Sequence, residues 1–464
     1  MRHDAYGYWF AEAPAAKPAP ALAGTERADV AIVGGGFAGM WTAWALRKAA
    51  PDLRIVLLEA AQVGQGPSGR NAGFLNAMWH RLGSLAQHFG DAAAWAIAEL
   101  AGASVEEIGA WAAAREADVW FRRAGHLEVA TSVAQEGRWM PSVEACRRLG
   151  AGAQYLPLDA EQVRLRCESP AFGSGALMPQ AATVQPARLA LALRAALIEE
   201  GVSVYEHTRV RSLHAGRTGV VLEAGGGSVA AASAVVAINA AAAGLLPLRN
   251  GLTVSSTHML VTEPVPDVLE AIGWTGGECI SDGRNYVHYF RTTPDGRIAF
   301  GFGGGRLAFG ARLGGHVAVD PRVLARVRAD LLQIFPTLAG RRIEHGWGGP
   351  VDVSPNKLPV IGTIGRDRVH YVYGFTGNGV GPSHLAGKVL ASLVLDRRDE
   401  LTRLALVEPQ LARVPPEPLR YLGGAVVRRA LLRKEDREDA GLDVGPLNRF
   451  IVDMPRRLGI HIGR

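Results

Sequence analysis

Gly34, Gly36 and Gly39 stand in G-x-G-x-x-G spacing within ADVAIVGGGFAGMWTAWALRKAAPDLRIVLLEA, residues 28–60, and Glu59 closes the apolar run that ends it. Those residue types at that spacing suit the binding of a dinucleotide. One glycine permits a tight strand-to-helix turn, one lets the backbone approach a pyrophosphate, and one allows the helix to pack close to the strand. Phe37 and Ala38 then open a helix whose first amides face the anion. Glu59, followed by Ala60, falls twenty residues after Gly39, where a carboxylate can accept from both ribose hydroxyls and repels a 2′-phosphate. NADP is thereby disfavoured, while FAD and NAD fit equally. The elements that must position these groups are a strand, a helix and a second strand, and the apolar periodicity supplies them in that order.

A second glycine-rich loop follows at once in VGQGPSGRNAGFLNAMW, residues 63–79. Gly69 and Gly73 permit close backbone approach, Ser68 and Arg70 offer donors to phosphate, and Asn71, next to Ala72, can bond a flavin edge. Placed after Gly34, Gly36, Gly39 and Glu59, this 68–73 run resembles the FAD-dependent D-amino-acid oxidase/glycine oxidase superfamily. The resemblance implies an α/β fold: a Rossmann-like FAD-binding domain of the glutathione-reductase type, with an inserted mixed or antiparallel-sheet substrate domain. It implies FAD, held non-covalently, since no Cys lies in 345–390 and no His stands at Arg70 or Asn71.

The same resemblance sets Val210 beside the adenine and returns the chain to the nucleotide at Asn239 and Ala240, after the apolar run of SAVVAINAAAA. Leu358 joins them from HGWGGPVDVSPNKLPVIG, residues 345–362. In VHYVYGFTGNGVGPSHLAGKVLASLVL, residues 369–395, an apolar strand leads through Gly374, Thr376, Gly377, Asn378 and Gly379 into a helix that starts near Val380. A positive helix end there favours a flavin that gains negative charge on reduction.

On the substrate side, NYVHYFRTTPDGRIAFGFGGG, residues 285–305, is similar to the γ-glutamylputrescine oxidase-like amine oxidoreductases of that superfamily. Alternation sends His288 and Phe290 to one face of this strand and Tyr289 with Arg291 to the other, and the sequence does not choose between the faces. True α-amino-acid oxidases of the superfamily hold the substrate carboxylate with an Arg. Trp347-Gly348-Gly349 stand in its place here, which favours an amine whose anionic group, if any, lies further away, within reach of Arg291 or His258. Trp79 and Trp347 would wall the amine-bearing carbon. The activity implied is oxidation of a primary or secondary amine to an imine, with oxygen or another acceptor taking the electrons. Aminophosphonate oxidation, glycine or D-amino-acid oxidation, and a non-enzymatic flavin sensor or partner subunit are the alternatives.

The totals agree with a large globular enzyme. The 464 residues are 48% hydrophobic and 20% charged, enough for two domains around a buried cofactor. The boundaries expected are 1–85, 151–249 and 345–395 for the FAD-binding domain, 86–150 and 250–344 for the substrate domain, and 396–464 for a C-terminal helical extension. The net charge of +6 comes without the dense basic and aromatic run of a nucleic-acid binder. Three scattered cysteines write neither a disulfide framework nor a metal site, and with an N-terminus unlike a signal peptide they point to the cytoplasm. The alanine-rich stretch 228–248 reads as a buried strand and a short turn, not a membrane span. LRYLGGAVVRRALLRKED reads as a basic amphipathic helix that packs across the flavin domain or at an interface in a homo-oligomer.

Overall fold

The glycine-punctuated unit at 28–60 folds as its spacing predicts. Strand Gly24–Val33 runs into helix Phe37–Ala49, which returns to strand Ile55–Leu58, paired parallel to the first. The computed structural model describes residues 2–3, 6–365 and 367–460. Around this unit an eight-stranded sheet is ordered Val210–Ala215, Val220–Ala224, Gly227–Val236, Gly24–Val33, Ile55–Leu58, Ser203–Tyr205. Strand Val369–Tyr373 joins it parallel to Gly227–Val236 and carries Val360–Ile364 antiparallel on its other side. The strands are rich in Val, Ile, Leu and Ala and are buried on both faces: Val30, Ile32, Ile55 and Leu57 pack on helix Phe37–Ala49, while Ala31, Val56 and Leu58 meet Val220 and Leu222 of the antiparallel strands. Stretch 228–248 is the strand Gly227–Val236 followed by a 3-10 turn, Asn239–Gly244. Among the described residues no helix is long and apolar enough to cross a membrane.

A second, mixed sheet of nine strands lies across the first. Its order is Arg2–His3, Ile343–Val353, Thr253–Thr262, Ile298–Phe302, His288–Thr292, Cys279–Asp282, His126–Val129, Gly175–Met178, Leu156–Leu158. One face packs on helix Pro321–Ile334 through Leu260, Phe290, Phe300, Leu324, Val327 and Leu331. The opposite face turns toward the nucleotide-binding half.

Four segments sit differently from the expected boundaries. Strands Leu156–Leu158 and Gly175–Met178 belong to the second sheet, as does Ile343–Val353, although 156–158, 175–178 and 345–353 were expected in the nucleotide half. Conversely, helix Asp91–Ala114 packs on the nucleotide half. Trp111 meets Trp41 edge-on with ring centroids 5.3 Å apart, and Ser104 Oγ lies 3.1 Å from His384 Nδ1. Periodicity reveals that a helix has a buried face but not which element covers it, so helix Asp91–Ala114 was legible while its neighbour was not.

Helix Leu419–Asp439 docks on the second sheet rather than on the nucleotide half. Arg428 donates to Gly304 O at 2.7 Å, Glu435 Oε1 accepts from the backbone N–H of Asn285 and Tyr286 at 2.6 and 3.0 Å, and Asp436 pairs with Arg326 at 2.5 Å. The acids that end this helix thus find their partners in Arg284 and Arg326 of the substrate sheet and its covering helix.

Candidate functional site

A cavity of about 1660 Å³ opens between the two sheets. Its nucleotide end is built by the first loop. Gly34 has φ 110°, and a Cβ on it would stand 2.3 Å from Ala237 O; a Cβ on Gly39 would stand 2.0 Å from Gly34 O. The helix beginning at Phe37 has no side-chain cap of its own, and Ser68 Oγ accepts the Phe37 N–H at 2.8 Å. Ser68 therefore joins the second loop to the first helix, and its hydroxyl proton remains to donate. Glu59 lies recessed at the end of Ile55–Leu58. Its Oε2 accepts from Gly35 N–H and its Oε1 from Ala61 N–H, each at 2.8 Å. Burial raises the pKa of this carboxyl, and the two backbone donors oppose the rise.

The second loop is a 3-10 turn, Pro67–Gly69, held by Asn71. The Asn71 amide donates to Ser68 O at 2.7 Å and Pro67 O at 3.1 Å, while its Oδ1 accepts from Gly73 N–H at 2.6 Å. The side chain expected to meet a flavin edge is thus engaged within its own loop. Arg70 points instead toward the second sheet: its guanidinium lies 3.4 Å from Gly348 O and makes no ion pair among the described residues. Burial lowers its pKa. A recessed guanidinium facing a cavity without a carboxylate partner calls for an anionic ligand.

The third wall is the start of helix Val380–Val394, reached through Thr376, Gly377, Asn378 and Gly379. Asp352, absent from the sequence-based candidates, anchors this turn. It accepts from Gly374 N–H at 2.5 Å and from Asn239 Nδ2 at 2.7 Å, and burial pushes its pKa up to about 6. Asn239 Oδ1 is buried with no hydrogen-bond partner. The expected cofactor residues line this one cavity except Gly39, Gly69, Gly73 and Gly374, which act by letting backbone segments approach. Helix starts without a cap from their own preceding residue, the recessed carboxylate at the second strand end, Arg70 without an ion pair among the described residues and the orphaned Asn239 oxygen together fit a dinucleotide carrying a pyrophosphate.

Of the expected substrate contacts, Tyr289 and Trp347 line the cavity. Burial raises the Tyr289 phenol to about 12, so it is a neutral hydroxyl. Trp347 Nε1 donates to Arg70 O at 2.8 Å and ties the second sheet to the second loop. The other four lie elsewhere. Trp79 is buried among core side chains and donates to Gln180 Oε1 at 2.7 Å. His258 accepts the Asp320 N–H at 2.9 Å on Nε2, and burial lowers its pKa to about 4, so it is a neutral structural histidine. His288 faces the covering helix between Asp282 and Asp330, at 2.7 and 3.0 Å. Arg291 shares Tyr289's face but turns into the junction with the second loop, donating to Val184 O at 2.6 Å beside the Trp9 ring.

Sequence reasoning passed over Phe74, His126, Glu128, Tyr155 and Ser281, which line the cavity. The signal was present in GHLEV: period-two alternation puts His126 and Glu128 on one face of a strand and Leu127 and Val129 on the other.

Glu59→Ala is expected to weaken FAD binding. A charge-assisted hydrogen bond contributes about 1.5–3 kcal/mol, so the loss corresponds to roughly tenfold to hundredfold in Kd. Fluorescence titration of deflavinated protein with FAD measures it.

Residues 29–393 match the DAO family model, described as FAD dependent oxidoreductase. The chain is 27% identical over 439 residues to a probable oxidoreductase, OrdL, of Rhizobium meliloti, covering 92% of this chain and 95% of that protein. It is 28% identical over 398 residues to gamma-glutamylputrescine oxidoreductase of Escherichia coli, covering 85% and 90%. Among solved structures, glycine oxidase from Geobacillus kaustophilus superposes with a TM-score of 0.66 at 23% identity, covering 81% of this chain and 96% of that one. L-proline dehydrogenase from P. horikoshii superposes at 0.68 with 18% identity, covering 82% and 96%.

Proposed function

The chain belongs to the DAO family of FAD-dependent oxidoreductases, and from that premise we propose that it oxidises the C–N bond of a primary or secondary amine to an imine. Water then hydrolyses the imine to an aldehyde and ammonia or a shorter amine. The observation that carries this reading is the meeting of the second loop and the helix start at 376–380 with the Tyr289 and Trp347 face of the second sheet in one cavity. FAD, held non-covalently, supplies the two-electron acceptor for the hydride leaving the amine carbon.

The protein's own groups then do three things. Glu59, Ser68 and the start of helix Phe37–Ala49 hold the nucleotide. Arg70 and the start of helix Val380–Val394 present positive potential where negative charge develops. Tyr289 and Trp347 form a dry wall that orients a neutral amine with its C–H toward the cofactor, and the N–H proton leaves to water. No strong side-chain base is required, because a deprotonated amine already carries the electron pair that drives hydride loss.

Arg70 also supports a second reading. Its guanidinium lies beside Gly349, where the Cζ would be 3.4 Å from an added Cβ, and it could hold the carboxylate of an α-amino acid in place of the missing clamp. Product analysis separates the two. Amine oxidation predicts stoichiometric aldehyde and ammonia from simple amines, slowed by deuterium at the α-carbon. Turnover confined to glycine or D-alanine, abolished in Arg70→Met, would favour the amino-acid reading.

A further inference from the structure

Phe74, Leu75 and Asn76 form a short strand just past the second loop, paired antiparallel with Ala181–Thr183. Alternation separates their side chains. Leu75 enters the core of the nucleotide half, while Phe74 and Asn76 line the cavity. Phe74 stands edge-on to Tyr289, with ring centroids 6.2 Å apart, and so continues the aromatic wall of the second sheet. The Asn76 backbone meets the first turn of helix Val380–Val394 so closely that a Cβ on Gly381 would stand 2.9 Å from Asn76 O. Asn76 therefore sits where that helix start meets the aromatic wall.

The fold makes no use of its amide oxygen. The residue is only 5% exposed, and Oδ1 is buried with no hydrogen-bond partner among the described residues. By contrast, the side-chain amides of Asn71 and Asn239 donate to Ser68 and Asp352. A buried amide oxygen left unpaired costs free energy, and a ligand that brings an N–H removes the cost.

A carboxamide oxygen is a neutral acceptor, and an amine N–H is its matching donor. Accepting the N–H leaves the nitrogen lone pair free, which hydride loss requires. As hydride leaves R–CH2–NH2 for the flavin, the lone pair becomes the second bond of R–CH=NH2+, and the N–H changes from a neutral to a charged donor. The iminium then gives up its proton to water. Hydrogen bonds to ionised groups are roughly twice as strong as neutral ones, so this contact strengthens along the reaction and lowers its barrier.

Resting on the amine-oxidation reading, we propose that Asn76 is a catalytic residue whose Oδ1 accepts an N–H of the substrate nitrogen and stabilises the iminium as it forms. The substrate class is thereby amines that carry an N–H, and tertiary amines are poor substrates.

The test follows flavin bleaching in flavin-loaded protein under anaerobic conditions with benzylamine, butylamine and the N-methyl and N,N-dimethyl derivatives of each. The concentration dependence gives an apparent Kd and a limiting rate for every amine. In wild type the N-methyl amines are expected to exceed the N,N-dimethyl amines, which lack the N–H, by roughly tenfold or more in limiting rate. In Asn76→Leu the limiting rate with primary and N-methyl amines should fall roughly tenfold, by more than the apparent Kd rises, and the gap to the dimethyl amines should narrow. Asn76→Asp, which keeps an oxygen acceptor in place, should recover most of that rate. Flavin content should match wild type in both variants. Dimethyl amines that bleach wild type as fast as their monomethyl partners, or an Asn76→Leu protein with the wild-type limiting rate, overturn the role of Asn76 alone. Loss of flavin from Asn76→Leu, with an unchanged limiting rate in the fraction still loaded, assigns Asn76 to the cofactor and overturns it likewise. Silence of every amine toward wild type overturns the amine reading and the role of Asn76 with it.

Discussion

Gly39→Ala protein is expected to leave purification with most of its flavin missing and with a lowered melting temperature. The added methyl would stand 2.0 Å from Gly34 O and 3.2 Å from Ile32 Cγ2. The first neighbour is backbone, so relief requires the helix to back away from the strand rather than a side chain to rotate. Overpacking of this kind costs about 1–3 kcal/mol. The displaced element is the one whose first amides would face the pyrophosphate, so the same shift would weaken the cofactor site. The ratio of flavin to protein absorbance and a thermal melt read the two effects. Full flavin occupancy would show that the close helix–strand contact is not what holds the nucleotide.

His288→Leu is expected to be the most destabilising of the substitutions considered. The imidazole is fully buried, and burial alone would lower its pKa; Asp282 and Asp330, hydrogen-bonded on either side, more than reverse that and raise it. The two carboxyls are correspondingly held below the usual carboxylate range despite their own burial. Removing the imidazole takes the shared donor from two buried carboxylates, which keep only Arg284 at 3.3 Å from Asp282 and Arg326 at 3.4 Å from Asp330, a loss of up to about 3–5 kcal/mol. In wild type the histidine's contribution is complete below its unfolded pKa and is lost as pH rises through its higher folded value. The contributions of Asp282 and Asp330 are present above their unfolded values and lost as pH falls through their lower folded ones. Denaturant unfolding of wild type and variant across pH should show a deficit that is large near neutrality and shrinks where the carboxyls protonate. A deficit below about 1 kcal/mol at neutral pH would mean the network contributes little.

The nucleotide half was legible because its chemistry is written locally. Gly34, Gly36, Gly39 and Glu59 lie within or at the ends of one strand–helix–strand unit, and the spacing that singles them out also sets their geometry. The substrate side was legible only in part. Alternation told that Tyr289 and His288 face opposite ways, but the choice of face depends on helix Pro321–Ile334, which lies on the His288 side and is joined to it only by the tertiary fold. Trp79 and Trp347 are alike in sequence as large aromatics near glycine loops, yet one is a core residue bonded to Gln180 and the other spans from the second sheet to Arg70. Asp352 was hidden for a further reason. Its partners, Gly374 and Asn239, are distant in sequence, so nothing around VDVSPN marks it as the latch of the third loop.

The account stands most directly on anaerobic mixing of the flavin-loaded protein with a series of primary and secondary amines while the flavin spectrum is followed. It predicts that at least one simple amine bleaches the oxidised flavin band completely, with one aldehyde appearing for each flavin reduced. A protein that carries no flavin, or a bound flavin that no amine in the series bleaches, would contradict it.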